Sequence, residues 1–122
     1  RNDAQYYYAH ILYINNEKDK ALEYFNILKG NNKYKDIANI YILQTNFEKG
    51  NYTEVIEKGD DVLQKAHKNR KSDIALMLAE SWNQQGDYTK SLEYYDIMKT
   101  ERLFFVESGK FVENFDRRAS AG

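Results

Sequence analysis

Cysteine and proline are both missing from these 122 residues. Without cysteine there is no disulfide, no thiolate nucleophile and no cysteine-ligated metal, although the compartment stays open. Without proline, and with only six glycines, little interrupts long helices. Charge of one sign is lacking as well: 18 basic residues face 19 acidic ones, a net charge of -1. That balance argues against broad attraction to nucleic acid or to an anionic membrane. The run KAHKNRKSD, residues 65–73, is the one basic patch, and it reads as a solvated loop and helix end. No apolar stretch approaches the roughly 20 residues that cross a bilayer, so direct membrane insertion is not expected. The chain opens on Arg1 with no signal peptide, as expected of a mature product or an excised piece.

The usual parts of an active site are scarce. His10 and His67 are the only histidines, and neither belongs to a His-Glu-x-x-His pattern. The neighbouring carboxylates Glu54/Glu57 and Asp60/Asp61 are of the kind a helical surface makes without enclosing a substrate. Gly50 and Gly86 are isolated and form no phosphate-cradling loop. No catalytic residue, metal site or cofactor is expected.

What is present is a core's worth of apolar side chains, 42% hydrophobic and 15% aromatic, which excludes a disordered chain. It is also repetitive. GNYT at 50–53 returns as GDYT at 86–89, and Asn16 occupies the same turn position in an earlier copy, giving spacings of 34 and 36. Periods of this size indicate a solenoid of helical hairpins. Ala9, Leu43 and Ala79 then share one position of the first helix, and Ala21, Val55 and Ser91 one position of the second, where a compact residue lets helices approach. Phe25 and Tyr95 correspond also, with Gly59 between them as the weakest point of its helix, costing about 1 kcal/mol of propensity.

Apolar spacing predicts helices over Asp3–Asn15, a run from Ala21 to Leu28, Asp36–Glu48, segments after Thr53 and Ser72/Asp73, where those residues offer capping chemistry, and a segment after Thr89. Gly30 and Asn31 are placed in a left-handed or turn conformation. Tyr52 and Tyr88 are expected to pack at the turns between paired helices. The repeats run about 3–34, 35–69 and 70–100 within a single solenoid. Residues 101–115 are expected to form a partial capping helix or the start of a fourth repeat, and 116–122 a tail.

This pattern resembles the tetratricopeptide repeat. The matching positions are Tyr8, Ala9, Leu12, Ala21, Phe25 and Leu28 in the first copy. In the second they are Ile42, Gly50, Asn51, Tyr52, Val55 and Val62, and in the third Leu78, Ala79, Trp82, Gly86, Asp87, Tyr88, Tyr95 and Met98. The first copy lacks the turn glycine, and the second departs at Leu43, Asn46 and Gly59. The run from Tyr6 to Leu63 is also similar to tetratricopeptide segments of Bacteroidetes cell-envelope proteins, which favours a periplasmic or outer-membrane-associated setting over a cytoplasmic one.

The resemblance implies an all-α, tetratricopeptide-like solenoid with no enzymatic activity, a scaffold that binds a protein or peptide segment in a concave groove lined by the first helices. The groove positions are Tyr6, His10 and Tyr13, then Ile40, Gln44 and Phe47, then Leu76, Glu80, Asn83 and Gln84. The terminal-carboxylate clamp of some family members is not matched: Tyr6, His10, Tyr41, Asp73 and Met77 stand where it would need lysines, asparagines and an arginine. The alternative is architectural, a module joining domains or copies through the solenoid ends with no groove ligand.

Overall fold

A computed structural model describes residues 2–107 and resolves them into six α-helices. These are α1 (Asn2–Ile14), α2 (Lys18–Leu28), α3 (Lys35–Glu48), α4 (Tyr52–Lys65), α5 (Lys68–Gln84) and α6 (Tyr88–Glu107). They form two compact units divided between Ala66 and His67. In the first unit α1 packs on α2, α2 on α3 and α3 on α4; in the second, α5 packs on α6. The architecture is all-α, built from three helical hairpins.

One hydrogen-bonded turn builds all three hairpins. Asn16, Gly50 and Gly86 have φ of 65°, 80° and 84°, the left-handed region in which glycine and asparagine are least strained. Behind each, the same bond closes the helix end: Glu17 N–H donates to Leu12 C=O, Asn51 N–H to Asn46 C=O, and Asp87 N–H to Trp82 C=O, at 2.8–3.0 Å. This is the Schellman pattern, which satisfies carbonyls the helix leaves orphaned. The next helix then starts at once, with Ala21, Val55 and Ser91 donating to the carbonyls of Glu17, Asn51 and Asp87. The spacings of 34 and 36 are therefore spacings of an identical backbone structure.

Packing follows the same positions. Ala9, Leu43 and Ala79 on the first helices, and Ala21, Val55 and Ser91 on the second, are all buried. Ser91 hydroxyl donates to the carbonyl of Ala79 at 2.8 Å, so the one polar member of the set is satisfied inside the α5–α6 contact. In the first unit, Phe25 is fully buried and stacks on Tyr41 of α3 at 4.8 Å and 3°. Its neighbours Ala9, Leu12, Ala21, Leu28, Tyr34 and Ala38 complete the core. α4 runs unbroken through Gly59, which is buried.

Four expectations are corrected. Thr53 does not cap α4: the turn at Gly50 hands the chain directly to Asn51, which holds the N-cap position, and Thr53 lies inside the helix. Ser72 and Asp73 do not cap α5, which begins at Lys68 because Ala66 and His67 are extended and turn the chain earlier; Ser72 is instead buried. The basic run is accordingly the end of α4 and the first turns of α5, mostly exposed. Tyr88 is 67% exposed and does not pack at its turn, whereas Tyr52 sits edge-on to Phe47 at 5.9 Å. The residue corresponding to Phe47 in α5 is Asn83, so Tyr88 has no ring to meet. Finally, residues 101–107 continue α6 rather than open a separate capping helix, since no glycine or proline interrupts the helix after Tyr88. Residues 108–122, which hold the rest of the expected cap and the tail, lie outside the described residues. Around Gly30 the expected turn forms, with the Asn31 side chain accepting from the N–H groups of Lys33 and Tyr34.

Candidate protein-binding face

Within the first unit, the seam between α1 and α3 carries a ladder of aromatic and polar side chains. α1 supplies Tyr6, His10 and Tyr13, at helical spacing; α3 and its N-cap supply Tyr34, Tyr41 and Glu48, each seven residues from the last. Such spacing keeps each set on one side of its helix. Tyr6 stacks on Tyr34 at 5.0 Å and 14°. His10 Nδ1 lies 3.1 Å from the Tyr41 hydroxyl, and Tyr13 meets the Tyr41 ring edge-on at 5.2 Å. Tyr13 hydroxyl donates to the Glu48 carboxylate at 3.0 and 3.1 Å. At the other end of the seam Tyr34 hydroxyl donates to Asp3, and Lys33 Nζ approaches the same carboxylate at 3.1 Å.

These contacts perturb the groups that make them. Burial, followed by the hydrogen bond to Glu48, holds the Tyr13 phenol protonated well above its ordinary 10.0. The Tyr34 hydroxyl, then Lys33, hold the Asp3 carboxyl below its ordinary value, and Asp3 in turn raises both partners. The rings of Tyr6, His10 and Tyr13 are half-buried, so each presents one part to the seam and another to solvent.

The ten expected groove residues separate in the structure. Tyr6, His10 and Tyr13 come together on the α1–α3 seam. Gln44 is half-buried one turn along α3 from both Tyr41 and Glu48, and its carboxamide makes no hydrogen bond among the described residues. Phe47 packs on Tyr52 across the hairpin turn. Ile40 is 6% exposed and lines a small recess between α3 and α4 with Asp36, Asn39, Asp61 and Val62. In the second unit, Leu76 of α5 is half-buried, and Glu80, Asn83 and Gln84 are exposed.

Sequence reasoning missed Asp3, Tyr34 and Glu48, the residues that hold the seam together. The available signal was the seven-residue spacing of Tyr34, Tyr41 and Glu48. It also missed a cleft of about 260 Å³ between α2, α3 and α4, floored by Leu22, Ile42 and Leu43 and rimmed by Asn39, Lys29 and Lys58. Among the described residues no three histidine, aspartate or glutamate side chains converge as a metal site, and no helix is long and apolar enough to cross a membrane. No protein-family model, curated protein or solved structure matches the chain.

Proposed function

We propose that this chain is a non-catalytic protein-interaction scaffold of the tetratricopeptide kind, and that its first-helix face binds a peptide segment. The observation carrying this reading is Gln44, a half-buried carboxamide with no hydrogen-bond partner among the described residues, beside a row of half-exposed rings. A carboxamide offers one donor group and one acceptor, the complement of a peptide group. Rigid aromatic surface next to it supplies apolar contact at low entropic cost. Hydrogen bonding within the seam orders Tyr13 and Tyr41 before any ligand arrives, which reduces the cost of binding. By repeat position Tyr6, Ile40 and Leu76 correspond, as do His10, Gln44 and Glu80, and Tyr13, Phe47 and Asn83.

The test is to recover the partner from extracts of the source cell and titrate it against variants. Gln44→Ala is expected to weaken binding by about 1–2 kcal/mol, roughly five- to thirty-fold in dissociation constant, with no loss of stability. Glu57→Ala, exposed on α4, is expected to leave affinity unchanged. The opposite pattern would move the partner to another surface. Phe47→Ala is a poorer probe, because Phe47 also supports the turn at Tyr52. A second reading, in which the repeats join copies or domains, is favoured by a separate observation on α1.

A further inference from the structure

α1 carries an apolar row that nothing among the described residues covers. Tyr7, Ile11 and Ile14 are 63%, 53% and 64% exposed, and Ala4 is exposed beside them. Single exposed apolar residues are ordinary, but four at helical spacing on one face make a patch of the kind that marks an interface. The seam residues Tyr6, His10 and Tyr13 are different positions of the same helix.

The chain itself shows what such a row packs against. Counting 34 residues on, Ala4, Tyr7, Ile11 and Ile14 correspond to Ala38, Tyr41, Thr45 and Glu48 of α3. On α3 that row receives the preceding hairpin: Ala38 and Thr45 are fully buried, Phe25 stacks on Tyr41, and Tyr13 bonds to Glu48. On α1 the polar members have become isoleucine, so the row is more apolar than the one already buried. The side chain of α2 that meets this row is Phe25, while Leu22 is half-buried and lines the cleft beside α3. Their counterparts on α6, 70 residues on, are Leu92 and Tyr95; Leu92 is 64% exposed and Tyr95 is half-buried, whereas Phe25 is fully buried.

We propose that the chain associates with second copies of itself: α1 of one copy receives α6 of another as α3 receives α2 within the chain. Tyr7 then meets Tyr95 in place of the Tyr41–Phe25 stack, and Leu92 becomes half-buried beside α1 as Leu22 is beside α3. A net charge of -1 leaves little repulsion between copies. The two faces differ, so the contact is heterologous. This contact stands independently of the peptide-binding face proposed above.

Sedimentation of the full chain over a wide concentration range tests it. The wild type is expected to associate into dimers or larger assemblies as concentration rises. Ile11→Glu and Leu92→Glu alter exposed positions, and circular dichroism is expected to show both folded. Each alone is expected to remain monomeric, because each loses one of the two faces. Mixed together they are expected to form a complex of two copies and nothing larger, since one supplies an intact α6 and the other an intact α1. Tyr7→Ser, a milder change on the same face as Ile11→Glu, should behave like it. A wild type that is monomeric throughout overturns the proposal. So does association that survives Ile11→Glu, or self-association of Leu92→Glu, which would pair α1 faces with each other.

Discussion

Tyr13 illustrates how one side chain ties two repeats together. Its phenol reaches from α1 to Glu48 at the far end of α3, and its ring lies against Tyr41, which is itself stacked on Phe25. Tyr13→Phe keeps the ring contacts and removes only the hydroxyl, so it is expected to cost about 1 kcal/mol, read as a lower urea midpoint at unchanged slope. The same variant carries a pH signature. The folded chain holds the phenol proton more tightly than the unfolded chain, which releases it near 10.0. Stability from this group is therefore complete below that pH and falls as pH rises above it. Wild-type stability should drop on the alkaline side, and Tyr13→Phe should drop less; parallel curves would remove Tyr13 as the source.

At the scale of the element, the hairpin turn decides where each of the six helices begins or ends. Gly86 has φ of 84° and open space where a Cβ would stand, so Gly86→Ala meets a purely backbone penalty. That penalty is about 1–2 kcal/mol for an ordinary L-residue in the left-handed region. Gly86→Asn is expected to cost less, because Asn16 already occupies the corresponding turn with the same hydrogen bonds. Urea midpoints for the two variants should therefore rank asparagine above alanine. Equal midpoints would show that the turn tolerates any side chain and that its recurrence has another cause.

For the whole molecule, the division after Ala66 leaves the first unit with a core of its own, centred on Phe25 and Leu28 and closed by Tyr34 and Ala38. A domain of about 60 residues, close to the size of this unit, buries only about 60% of its unfolded surface, which makes it marginal though able to fold. Residues 1–66 expressed alone are expected to be helical and to unfold cooperatively in urea. A broad transition without a baseline would show that this core is insufficient without residues beyond Ala66.

The hairpins were legible in the sequence because their determinants are local. A left-handed turn needs glycine or asparagine, a close helix crossing needs a compact residue, and both recur at 34 and 36. Helix starts were less legible: Thr53, Ser72 and Asp73 have capping chemistry, but preceding backbone already turned the chain at Asn51 and His67. The face on α1 and α3 was half legible. Helical period puts Tyr6, His10 and Tyr13 on one side, yet it does not say that Ile40 turns toward α4 or that Phe47 belongs to the turn. Those assignments, and the pairing of Tyr13 with Glu48 across 35 positions, depend on which helices become neighbours. A helix repeats every 3.6 residues and offers several faces to burial; only the neighbour that arrives selects one.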